Sequence, residues 1–241
     1  MRSILGAVLV LVVGVIGCSD SDTGSSTPRF AVCDDGLTVA DTATGLVWEL
    51  KTGESLDPGA TPPRPKNVCE TAGCPDPHDV KNVYNWSAAG TNPDGNVFTD
   101  FLVMLNTAPG FAAQTDWRIP AISELQSIMV GPGVLTPTTT DPLAGENPTA
   151  QPEVCEGPWG PELFLYGPPC IDPGFAAVGD SDPMVFDNAT AENSYWSMSD
   201  DAMDTTKAWS GFFGSGQISS VAGDKVLDSF VRAVRTGLCS P

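Results

Sequence analysis

Cys33, Cys69, Cys74, Cys155, Cys170 and Cys239, the single histidine His78 and thirty acidic residues are the side chains of this 241-residue chain whose types could do chemistry. An even number of cysteines beyond an export signal reads as disulfides. Short separations pair Cys69 with Cys74 and Cys155 with Cys170, each closing a local loop. Cys33 and Cys239 then pair by elimination and tie the two ends of the domain together. Zinc is disfavoured, because there is one histidine and no doubled C-x2-C pattern. His78 has no nucleophile motif around it, and the chain lacks G-x-S-x-G, H-E-x-x-H, a phosphate-binding loop and a dinucleotide-binding glycine set. No catalytic residue and no cofactor is therefore assigned, and His78 is expected to be structural. Asp180, Asp182 and Asp187 are of the type that binds calcium, yet Asp in such stretches more often makes turns. No metal ligand is assigned, and calcium stays open.

Cys18 has a different chemistry. One Arg precedes an unbroken apolar or Gly run from Ile4 to Gly17 that stops at Cys18. The run is shorter than the roughly 20 residues a membrane-spanning helix needs, and it reads as a secretory signal. Its last residues, Val15-Ile16-Gly17-Cys18, resemble a bacterial lipobox, in which small residues admit the peptidase and the thiol receives diacylglycerol. The expectation is a signal peptide over 1–17, a lipid on Cys18 that holds the protein to the membrane, and, with Ser19 next, sorting to the outer membrane. The polar, Ser-rich stretch over 18–29 is a flexible tether, since it has no apolar surface to offset its ordering entropy.

Removal of the signal takes Arg2 with it and moves the formal net charge from −19 to −20. A body this acidic is repelled by phosphate backbones, which argues against nucleic acid, and it argues equally against polyanionic glycans.

The elements that position these residues follow from pattern. Residues 30–241 read as one domain. Residues 35–50 form a hairpin around Thr-Ala-Thr-Gly, with Gly45 where a positive φ is wanted. Pro and Gly dominate 51–81, a loop. A helix over about 99–107 is capped by Thr99 and shows Phe101, Leu102 and Leu105 on one face; a second shows Ile122, Leu125, Ile128 and Met129. Both should pack on a sheet. A long loop occupies 131–193, and strand signals return at 195–199, 207–213, after the Gly-Ser-Gly turn, and over 228–235.

The blocks TGLVWE, HDVKNVYNW, DGNVFTDFLVMLN, TDWRIPAISELQSI, PCIDPGF, YWS, AW with a Gly turn and VRAVR, in that order, resemble the domain at the C-terminus of the Legionella collagen-like protein (the Lcl C-terminal domain), a family of unknown function that is similar to the C-type-lectin-like superfamily. The resemblance covers about residues 35–236. It implies an α+β, C-type-lectin-like fold: two helices packed on a twisted antiparallel sheet, terminal strands paired, long disulfide-stapled loops to one side. Lectins of that superfamily hold calcium with Glu-Pro-Asn and Trp-Asn-Asp sets. Here Glu146-Asn147-Pro148 has those types in another order, and Trp196 is followed by Ser-Met-Ser.

Asp116, Trp117, Arg118, Pro120 and Glu124 form the segment TDWRIPAISELQ, which reads as a structural corner. Trp117 anchors an extended strand in the core, Arg118 bonds Asp116 or loop carbonyls, and Pro120 keeps Ile119 extended. Glu124 reaches back to the Ala121 N–H while the forward half of the capping box is missing, Ala having no acceptor. Three functions are compatible with the residues: a surface lipoprotein whose lectin-like domain binds an unknown glycan or protein through the 131–193 region, an envelope scaffold without small ligand, and an oxidoreductase like the sulfatase-modifying factors of the superfamily, which needs a free thiol pair.

Overall fold

The computed structural model describes residues 28–52, 56–57, 64–65, 76–129, 170–172, 175, 190–191, 193–214, 216–219 and 223–239. The expected signal, Cys18 and most of the tether lie outside these residues, as does most of both long loops.

The predicted hairpin is present. Thr38–Asp41 (β2) pairs antiparallel with Leu46–Glu49 (β3), and the turn closes at Gly45 with φ +69°, a conformation that costs any side chain with a Cβ. Phe30–Val32 (β1) adds to β2 and Val234–Thr236 (β11) adds to β3, giving the sheet order β1-β2-β3-β11. The expectation of paired terminal strands is corrected: they occupy opposite edges of one sheet, because the local hairpin fills the two inner places. The chain turns back after β11 at Gly237, with φ +140°, and Cys239 meets Cys33 in a disulfide with Cα atoms 5.2 Å apart. Cys33 is buried in the cluster that holds Val47, and Cys239 packs against that cluster.

Four residues of β3 are buried in succession, as expected of a strand covered on both faces. Leu46 and Trp48 belong to one core cluster, with Phe30, Phe175, Tyr195, Phe213 and the helix residues Ile122, Leu125, Ile128 and Met129. Val47 belongs to a second, with Tyr84, Trp86, Phe101, Leu105, Trp117 and Trp196. The stretch expected as one strand over 228–235 is divided. Asp228–Ser229 (β10) pairs with Tyr84–Asn85 (β6), residues 230–233 leave regular pairing, and β11 resumes. Every side chain from Phe230 to Val234 is buried. No single face of this run is the core face: Phe230 and Val234 enter the first cluster, Val231 and Ala233 the second.

A further sheet, Ser194–Asp200 (β7), Ala208–Phe212 (β8) and Gln217–Ser219 (β9), agrees with the strand signals near the C-terminus. The short strands Leu56–Asp57 (β4) and Arg64–Pro65 (β5) pair inside the segment read as loop only; two-residue strands leave no period to detect. The antiparallel pairing is thus divided among several small sheets rather than one.

The first helix begins earlier than expected. A π-helical turn, Val97–Phe101, runs directly into Leu102–Asn106 (α1). Thr99 is not the cap; its N–H and hydroxyl both bond Gly95 O from within the turn. The second helix is Ile122–Ser127 (α2), and it lies so close to β8 that a Cβ on Gly211 would come within 3.0 Å of Leu125 Cδ2.

Candidate functional site

The ionisable side chains that chemistry could use gather where β3 ends. Glu49 is fully buried, and its Oε1 lies 2.8 Å from Lys51 Nζ and 2.7 Å from His78 Nδ1. Its Oε2 accepts the Ala233 N–H at 2.8 Å. Lys51, also buried, bonds Pro77 O at 3.3 Å and lies over the Phe101 ring. Buried Arg232 donates to Glu49 O at 3.0 Å and to Thr190 Oγ1 at 2.9 Å. His78 stacks on Phe111 with centroids 3.9 Å apart. Burial pushes the Glu49 carboxyl up, but Lys51 and the His78 hydrogen bond outweigh it and hold Glu49 down at about 2. Burial pulls the Lys51 ammonium below its ordinary range, and Glu49 offsets only part of that. Burial likewise raises the Tyr84 phenol, with the Glu49 charge adding to it. Its hydroxyl is buried and has no hydrogen-bond partner among the described residues.

This cluster stands at the roots of both long segments. Thr52 and His78 bracket residues 53–75: Thr52 N–H bonds His78 O, Val80 N–H bonds Thr52 O, and Thr52 Oγ1 bonds Asp76. Thr190, where the chain re-enters the described structure, is held by Arg232. The far root pairs Met129 with Ile171, and Asp172 N–H bonds Ile128 O. Glu49 and Arg232 therefore join the bases of the two segments through a single buried hydrogen-bonded group. An ion pair this deep is costly to break from one side, so the bases are rigidly placed.

The corner residues come together, with one partner changed. Arg118 does not bond Asp116; its Nη1 reaches the Ile119 carbonyl at 3.5 Å, and its two terminal nitrogens form a fork on the Glu124 carboxylate at 2.6 Å each. Asp116 pairs instead with Arg235 at 2.7 Å. The reason is direction: Arg118 exchanges backbone bonds with Val234, and residues 116 and 118 then lie beside different partners. Glu124 Oε2 also accepts the Ala121 N–H at 2.8 Å. Another free N–H of the first turn, that of Ile122, donates to Ser199 Oγ of β7 at 3.1 Å. Trp117 is buried, donates its indole N–H to Phe111 O, and is bracketed by the Asn106 side chain, which bonds both its N–H and its carbonyl. Pro120 is buried, and its carbonyl accepts from Met198 N at 2.7 Å.

Cys170 is disulfide-bonded, and its partner lies outside the described residues, as do Cys69, Cys74 and Cys155. Glu146, Asn147, Pro148, Asp180, Asp182 and Asp187, the residues considered for calcium, lie outside as well. Trp196 is buried rather than placed in a loop. Among the described residues no group of three or more His, Cys, Asp or Glu could hold a metal ion, and no helix is long and apolar enough to cross a membrane. Sequence reasoning missed Glu49, Lys51 and Arg232. Their signal was a charge inside an apolar run, in LVWELK and VRAVR, since a charge buried in a strand needs a partner.

The model of the Lcl C-terminal domain family matches residues 37–235. The chain belongs to that family. The matched span runs from just before β2 into β11, so the family domain includes the hairpin, both helices and the buried ion cluster. A search of the curated proteins and one of the solved structures found no match.

Proposed function

We propose that this member of the Lcl C-terminal domain family is an exported, non-enzymatic binding protein. In this reading a lipid on Cys18 holds it to the bacterial outer membrane, and the domain over 30–241 is C-type-lectin-like. It meets a glycan or a protein ligand through residues of the 131–193 region. The observation that supports this is the shared root described above: one buried group, centred on Glu49 and Arg232, fixes both long segments to the same base. A domain that spends buried charge on fixing where two segments leave and re-enter is arranged to present them, as binding loops on a rigid scaffold are. Glu49, Lys51 and His78 have their polar atoms turned to one another and to backbone carbonyls, which suits anchoring.

The test is a broad glycan array probed with residues 30–241, first with calcium and then with chelator. Calcium-dependent capture of a defined sugar supports a lectin and points to the carboxylates of 131–193. Silence in both conditions sinks the glycan version and leaves a protein ligand or a scaffold. A free-thiol count on the same sample addresses the oxidoreductase alternative, which needs a reduced pair.

A further inference from the structure

Of the lysine and arginine residues whose side chains are described, all eight are engaged within the chain. Seven are in ion pairs, and Arg232 is bound to Glu49 O and Thr190. Among the described side chains an anionic partner meets no uncommitted cation.

Lys225 bears on one place in particular. It is buried, with Nζ 2.6 Å from Asp200, 2.9 Å from Thr205 O, 3.2 Å from Thr91 O and 4.0 Å from the centre of the Trp86 ring. Lys225 N–H also bonds Thr206 O, and the backbones of Lys207 and Asp224 form an isolated antiparallel β-bridge. These bonds clamp the turn at 224–228 against the loop at 201–206, at one end of the sheet formed by β7, β8 and β9. The clamp draws the one ammonium of the turn inward and leaves apolar side chains outward: Met203 is 94% exposed, Leu227 54% and Val226 50%. Asp201, Asp204 and Asp224 belong to the same two segments, and Lys207 there is paired with Asp204. Exposed apolar side chains on segments that also carry charge of one sign suit a contact surface.

We infer that this end of the sheet is a docking surface for a basic, amphipathic polypeptide segment, whose apolar side chains cover Met203, Val226 and Leu227 while its cations meet Asp201, Asp204 and Asp224. Charge decides the occupant. A second copy of this chain would bring the same carboxylates against themselves, and an anionic lipid surface would be repelled. A basic segment gains from both halves of the surface. The inference stands apart from the ligand of residues 131–193, since none of its residues takes part in the roots of the long segments.

The test uses the purified full chain and three labelled peptides followed by fluorescence anisotropy: an amphipathic lysine–leucine peptide, its glutamate–leucine counterpart, and a lysine–serine peptide without apolar residues. Binding of the lysine–leucine peptide alone is expected. Asp201→Asn/Asp204→Asn/Asp224→Asn and, separately, Met203→Ser/Leu227→Ser should each weaken it about tenfold, with the thermal transition unchanged. Asp34→Asn, the remote variant, in the turn between β1 and β2 of the other sheet, should leave it as it was. Equal binding of the lysine–serine peptide, an equal loss in the remote variant, or no binding of the lysine–leucine peptide would overturn the inference.

Discussion

Trp86 and Trp196 each donate an indole N–H to the backbone of the other's segment: Trp196 Nε1 to Tyr84 O at 2.7 Å, and Trp86 Nε1 to Ser197 O at 3.1 Å. Both rings are buried, so each bond removes a donor and a carbonyl that water cannot reach. The exchange ties β6 to β7. Replacing Trp196 by Phe keeps an aromatic ring and strips the donor, and it should cost about 1–3 kcal/mol in urea unfolding. A loss near zero would mean that the Tyr84 carbonyl finds another donor.

Glu49→Gln leaves Lys51 and Arg232 as buried cations around a neutral amide. Removing one partner of a buried pair typically costs about 3–5 kcal/mol, and that is the expected loss in folding stability. Glu49→Gln/Lys51→Met should recover a good part of it, because the uncompensated ammonium goes too. A double variant no better than the single would show that the pair is not the source.

Acid should unfold the domain through the same residue. Glu49 is held at about 2 against an ordinary value of 4.5. Its folded value is depressed, so its contribution is fully present above about 4.5 and is lost as pH falls toward about 2, on the order of 3 kcal/mol in all. Chemical denaturation at a series of pH values reads this directly, and in Glu49→Gln the slope across that window should flatten.

The cap of α2 is divided between Glu124 and Ser199. Ser199→Ala should cost about 1 kcal/mol, the usual size of a lost cap bond. Arg118→Ala should cost about as little, since its ion pair with Glu124 is partly exposed. Thermal melts of the two variants and their combination test this; a much larger loss from Arg118→Ala would mean that the fork on Glu124 positions the corner.

Breaking the Cys33–Cys239 link by Cys33→Ser should lower stability by about 2–5 kcal/mol, because it frees the loop-closure entropy of nearly the whole domain. Equilibrium unfolding of that variant beside the parent gives the number.

Much of this architecture was legible where a residue's own preference agrees with its place. Gly45 marked the hairpin turn, Ile122 and Leu125 the buried face of α2, and Trp117 the strand that enters it. Legibility failed where the partner is remote in sequence. Nothing near Ala121 announces Ser199, and nothing near Trp117 announces that Asn106 brackets its backbone. The alternation over 228–235 was uninformative because both faces are covered, so a polar–apolar period has no solvent side to register. The buried ion cluster stayed hidden for the same reason: Glu49, Arg232 and His78 are joined only in space, and each alone looks like an ordinary charge in a loop or strand.

Val234 lies opposite Trp48 in the first sheet, and that register bears on how the chain can be made. A ribosome releases Trp48 long before Val234 exists, so the inner hairpin waits with one edge bare through the synthesis of almost everything else. Pairing of such high contact order is slow, and a bare strand edge invites partners from other chains in the meantime. Completion of the sheet is thus an event of the finished polypeptide, and oxidation of the terminal cysteines is its latch rather than its nucleus.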